Sequence, residues 1–261
     1  MRNFLKFFAI YLGLIIGVLV LLKGEGVPNF LFFPLRSTEL FYGIYYGPFK
    51  IGECKIRITS KKYEAIVYSV GLGKIFFPFY AKWDTWVDKE GYPLKVLIYS
   101  RERGKERKKL IKFNKKQNTV FYQKLLPKKK KSEVISIDFP VYDELSSFIK
   151  AISIDYYYVN KTALPVYIKK SRDFIILKAE RETACKIGKE EKKCIKVLIH
   201  LPEKSELLKR TSQIEMKILK REKYPVELKG KLPLLGHLVG KLQKISYLDY
   251  AKVISSSKEG I

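Results

Sequence analysis

The chain is short of the residues on which most metal sites and catalytic sites depend. It has two histidines, His200 and His237, and three cysteines without a C-x-x-C spacing, a set that argues against a zinc site. No G-x-S-x-G, H-E-x-x-H, phosphate-binding loop or G-x-G-x-x-G occurs, and Gly71-Leu72-Gly73-Lys74 is too short to act as a glycine-rich cradle. Asp84 and Asp88 flank a turn, where solvated aspartates are the simpler account, and Asp143 and Glu144 read as the acidic start of a helix. No catalytic residue, cofactor site or metal site is assigned, and the chain is not read as an enzyme. Negative charge is scarce as well: 26 acidic residues against 52 basic ones leave a formal charge of +26. That surplus suits an anionic partner such as a lipid headgroup, an acidic polysaccharide or nucleic acid. It also suits a thermophile-like surface in which charged side chains form networks.

One long apolar run is present, Phe4 to Leu22, whose only charge is Lys6. It is close to the roughly 20 residues a helix needs to cross a bilayer. A cleaved secretory signal would end in an A-x-A-like site, which Leu21-Leu22-Lys23-Gly24 does not offer. A buried core helix would show one polar face. The reading adopted is an uncleaved signal anchor, with secretion after cleavage as the alternative. Arg2, Lys6 and the amino terminus precede the run, whereas Lys23 after it is offset by Glu25, so the amino terminus is expected inside and the rest outside. The outside location argues against nucleic acid as the partner, despite the charge.

The expected organisation is a membrane segment at 1–23, a tether at 24–38, a β-rich domain at 39–254 and a flexible tail at 255–261. From Glu39 the pattern has period two, and Ile51, Glu53, Lys55, Arg57 and Thr59 alternate cleanly with Gly52, Cys54, Ile56 and Ile58. Strands are expected at Tyr63–Gly73, Phe76–Val87, Leu94–Ser100, Lys108–Phe113 and Thr119–Leu125, then at Val166–Lys170, Phe174–Arg181, Cys194–Leu201 and Ile214–Lys220. Together they form a β-meander. One helix interrupts it around 141–152, where Leu145, Phe148, Ile149 and Ile152 share a face. Arg101–Lys131 holds fourteen basic residues against Glu102 and Glu106, ending in Lys128, Lys129, Lys130 and Lys131. These four are the candidate contact for an anionic surface, although a solvated hairpin and loop explains them as simply. Cys185 and Cys194 flank a turn-like segment. In an oxidising compartment they pair across a hairpin and leave Cys54 odd; otherwise they are ordinary thiols in strands.

The order of several landmarks resembles the bacterial envelope proteins grouped as domain of unknown function 3108. These are Glu39-Leu40-Phe41-Tyr42 with Ile51-Gly52, Gly71-Leu72, Trp86-Val87-Asp88, Gly91-Tyr92-Pro93, Asp143-Glu144-Leu145-Ser146 and Tyr224-Pro225-Val226. The resemblance spans about Glu39 to Leu242. It implies an exported or membrane-anchored protein with a curved, open, barrel-like antiparallel sheet and an inserted helix, and it carries no activity. A curved sheet closed on one side by a helix encloses an apolar cavity. Phe76, Phe77, Phe79, Tyr80, Trp83 and Trp86 are the candidate lining, though each serves equally as plain β-protein core. The expected function is binding of an apolar or anionic envelope component, in the manner of a lipid or lipoprotein carrier, by a domain held in the periplasm on a single inner-membrane span. The alternative is a non-catalytic scaffold that binds envelope proteins.

Overall fold

The structure, a computed structural model, describes residues 36–127, 131–187, 190–202, 214–232 and 236–248. The expected membrane segment, the tether up to residue 35, Lys128–Lys130 and the tail lie outside the described residues. Among those described, no helix is long and apolar enough to cross a membrane.

The chain rises and falls as a meander. Its first part is β1 (Thr38–Tyr46), β2 (Phe49–Ile58), β3 (Lys62–Ser69), the short helix α1 (Leu72–Phe76), β4 (Phe79–Val87), β5 (Pro93–Glu102), β6 (Lys105–Asn114), β7 (Thr119–Leu126) and β8 (Lys131–Ser136). Helix α2 (Glu144–Ile152) follows. Then come β9 (Lys161–Ile168), β10 (Ser171–Ile187), β11 (Glu190–His200), β12 (Ile214–Leu219), β13 (Pro225–Leu232) and β14 (Gly236–Tyr247). All strands join one antiparallel sheet in the order β8-β7-β6-β5-β4-β3-β2-β1-β14-β13-β12-β11-β10-β9. The first and last strands are thus central neighbours, and the middle of the chain forms both edges.

The stretch between β8 and β9 spans those edges. The Ile137 amide donates to the Asn118 carbonyl at 2.8 Å. The Tyr142 amide donates to Pro165 at 2.9 Å, and the Tyr167 amide donates back to Tyr142 at 2.7 Å. Further along the same connection, α2 starts at Asp143, whose carboxylate accepts from the Ser146 and Leu145 amides while the Ser146 hydroxyl accepts from the Asp143 amide, a closed capping box.

Burial falls into two cores. Leu145, Ile149 and Ile152 of α2 join Leu40, Ile56, Leu164, Leu177, Val197, Met216 and Ile218 from the strands of the larger one. Val96, Ile111, Phe113 and Val120 form a smaller core with Ile137, Val141 and Tyr167.

Several local expectations are corrected. The strands expected at Tyr63–Gly73 and Phe76–Val87 are separated by α1, because the chain turns at Gly71, where φ is +51°. Gly73 then packs so tightly that a Cβ there would lie 2.0 Å from the Ile51 carbonyl oxygen. Pro78, with no amide hydrogen to give a ladder, stands just ahead of β4. β9 begins at Lys161 rather than Val166, β10 runs on for 17 residues, and β8 was not foreseen at all. Both Tyr-Pro corners do start strands, at Pro93 and Pro225.

Candidate functional site

Strand alternation divides the aromatic residues read as one lining. On β4, Phe79 and Trp83 share parity with Ala81 and Thr85, which face the interior, and Trp83 packs against the larger core. Tyr80 and Trp86 lie on the opposite face, with Lys82 and Asp84. Phe76 and Phe77 are not in the strand; they are exposed at the end of α1. The structure therefore does not bring the six together. Of the lysine run, only Lys131 is described, as the first residue of β8. Cys185 and Cys194 are joined by a disulfide across the β10–β11 hairpin, with Cα atoms 5.9 Å apart. Cys54 is free, and burial pushes its thiol up to about 12.

Outside the two cores lies an open groove of about 850 Å³ on the face of β5–β8, within the usual size range of small-molecule sites. Its floor includes Leu94, Phe121 and Val134, and its rim includes Lys95, Lys112, Lys115 and Lys116. The pairing register explains the arrangement. Lys95 lies directly opposite Lys112 on β6, Lys112 opposite Phe121 on β7, and Phe121 opposite Val134 on β8. Residues opposite one another share a face, so this row runs from cationic to apolar across four strands. Leu94 joins the floor because the β4–β5 register shifts there, from Val87–Pro93 to Trp86–Lys95, leaving Leu94 half exposed. On the cationic side the row continues to Trp86, whose ring has the Lys95 and Lys62 ammonium groups at 4.5 and 4.7 Å.

Electrostatically the groove is one-sided. Among the described residues, none of Lys95, Lys112, Lys115 and Lys116 forms an ion pair. Two like charges directly opposite each other destabilise a sheet by about 0.2–1 kcal/mol, and Lys95–Lys112 is such a pair. Asp88 is the single acid of the lining. Burial raises its pKa, opposed by the Tyr92 and Glu90 amides that its carboxylate accepts from at 2.8 and 3.0 Å. The Lys115 ammonium sits 5.1 Å from the centre of the Tyr92 ring, which stacks on Tyr142 at 4.9 Å.

Other buried charges have structural partners. Asp143 is wholly enclosed, and burial raises its pKa against four hydrogen bonds that favour the carboxylate, one of them from the Thr85 hydroxyl at 2.9 Å. Lys223 meets Asp155 at 3.0 Å with both side chains about nine-tenths buried.

The groove residues escaped the sequence reading because no local period marks them. Their signal lies in lateral register, which a single strand does not display.

The geometry defines a class first: one antiparallel, barrel-like sheet, open at a seam and filled on one side by a helix. A crystal structure from Brucella abortus, described as a β-barrel-like protein of domain of unknown function DUF1849, shares this fold with a TM-score of 0.53. The two chains are 11% identical over 82% of this chain and 99% of that one, so the likeness is one of fold alone. Within that class, the chain belongs to the family described as protein of unknown function DUF3108, which matches residues 42–243. Among curated proteins, none matches.

Proposed function

We propose that the domain binds an anionic amphiphile of the bacterial envelope in the groove of β5–β8. The headgroup lies between Lys95 and Lys112, and the acyl part lies on Leu94, Phe121 and Val134. The observation that carries this reading is the register row Lys95–Lys112–Phe121–Val134, in which an unpaired cationic couple adjoins an exposed apolar strip. An anion between two opposed ammonium groups turns a repulsion into two attractions, which is why the pair makes sense with a ligand and is costly without one. The periplasmic setting is part of the proposal. It rests on the apolar Phe4–Leu22 run, which lies outside the described residues, and is supported by the Cys185–Cys194 disulfide, since such bonds persist in oxidising compartments.

The test is native mass spectrometry of the full chain purified from bacterial membranes, followed by organic extraction. A retained anionic phospholipid or acylated anion that disappears in the Lys95→Met, Lys112→Met double variant is the expected result. An unliganded mass, or a lipid retained equally by that variant, contradicts it.

A further inference from the structure

At the other end of the sheet, three successive connections present large apolar side chains to solvent. Tyr46 and Phe49 flank the β1–β2 turn, and Leu72, Ile75, Phe76 and Phe77 form α1 and its end, with Ile75 72% and Phe76 63% exposed. Isolated apolar residues on a surface need no explanation, but six gathered on adjoining turns do. They are held in place. The Val70 amide donates to Ile51 at 2.9 Å, Gly73 packs onto the Ile51 carbonyl, and the Arg103 amide of the next turn donates to Pro78 at 3.1 Å. The last bond joins the apolar turn to the β5–β6 hairpin, where Arg101, Arg103, Lys105 and Arg107 are exposed, and Lys74 is exposed on α1 itself. The acids nearby are Glu102 and Glu106, and the second accepts a hydrogen bond from Tyr99 at 2.8 Å.

We propose that this tip docks on an anionic bilayer surface, with Leu72, Ile75, Phe76 and Phe77 in the interface and the β5–β6 bases at the headgroups. The charge complementarity selects this occupant. Protruding apolar side chains flanked by arginine and lysine match the depth profile of an anionic leaflet, in which the apolar part sits about 5–10 Å deep beneath the charged headgroups. The tip and the groove lie at opposite ends of β5 and β6, so this docking stands without the groove's ligand and extends the function to a second surface.

The test is hydrogen exchange on the full chain, mixed with vesicles of phosphatidylcholine alone or of phosphatidylcholine and phosphatidylglycerol. Segments 71–78 and 101–107 are expected to exchange about tenfold or more slowly with the anionic vesicles than with the neutral ones. A membrane segment at the amino terminus would insert in both and leave these segments unaffected. Arg101→Glu with Lys105→Glu, and separately Ile75→Ser with Phe76→Ser, are exposed changes that should keep the fold, checked by circular dichroism, and each should remove the slowing. Equal exchange in the two lipids, or slowing that survives the charge reversal, overturns the proposal.

Discussion

The helix-filled part of the sheet and the β5–β8 part use the same residue, lysine, in opposite ways. Across β1–β4 and β10–β13, lysine and arginine sit beside acids on neighbouring strands. Glu39 takes Lys55 at 2.9 Å and Arg57 at 2.6 Å, Asp84 takes Lys62 at 2.8 Å, and Glu227 takes Lys217 at 2.9 Å. Lys196 lies between Glu180 and Glu215 at 3.1 and 3.5 Å. On β5–β7 the corresponding positions hold lysine opposite lysine, on the outer face at Lys95–Lys112 and on the inner face at Lys109–Lys124. A charge surplus averaged over the chain would spread evenly; this one is concentrated. The difference teaches that the composition has two origins, a networked surface on one side and an anion-seeking surface on the other.

The sharpest way to break the comparison is to remove a charge on each side. On the networked side, Lys223→Met leaves Asp155 buried beside a neutral side chain, and should destabilise by about 3–5 kcal/mol in urea unfolding. Lys95→Met in the groove should leave stability unchanged or slightly raised in the same assay, since it relieves Lys112. Equal losses at the two sites would abolish the distinction.

A second contrast concerns the cores. Ile152→Ala, at a fully buried position of α2, should cost about 2–5 kcal/mol, read from the urea midpoint. It should leave amphiphile binding by the folded protein intact, because the groove is lined from β5–β8. Loss of binding together with stability would mean the helix shapes the site.

Acid behaviour separates two carboxylates of the helix-filled part. Burial pushes Glu39 up, but Lys55 and Arg57 together hold it below its usual value. It contributes stability above the unfolded carboxylate range, lost as pH falls through its lowered folded value. Asp143 is raised by burial, so the folded protein binds its proton more readily than the unfolded chain. Its contribution is therefore most favourable below the unfolded value of about 3.9 and declines as pH rises through the raised one. Asp143→Asn keeps a capping acceptor and removes the charge, so the variant should gain on the wild type between pH 4 and pH 7, by about 1 kcal/mol for each unit or so of shift. A stability difference that stays constant with pH would contradict this.

Much of the scaffold was legible in the sequence. Alternation in Ile51–Thr59 marked β2, and the spacing of Leu145, Phe148, Ile149 and Ile152 marked α2, because these patterns arise from local geometry. The ordered landmarks pointed to the family. The aromatic run Phe76–Trp86 misled, since closeness in sequence suggested one surface while Gly71, Gly73 and Pro78 created α1 and the pleat sent Trp83 and Trp86 to opposite faces. β8 was hidden behind the lysine run, and its Val134 is exposed rather than core-facing. The groove was hidden for a deeper reason. Lys95, Lys112, Phe121 and Val134 come from four strands, and they line up only through turn lengths and the shift beside Leu94.

The most direct test uses the smallest structural effect. Lys112→Glu places an acid opposite Lys95 and converts a repulsive cross-strand pair into an attractive one. If the groove holds its lysines for an anion, this variant should be more stable by about 0.2–1 kcal/mol. It should also bind short-chain phosphatidylglycerol, followed by titration calorimetry, at least about tenfold more weakly. A variant that binds as tightly as the wild type, or one that is less stable, would contradict the claim that the β5–β8 face is built to receive an anionic amphiphile.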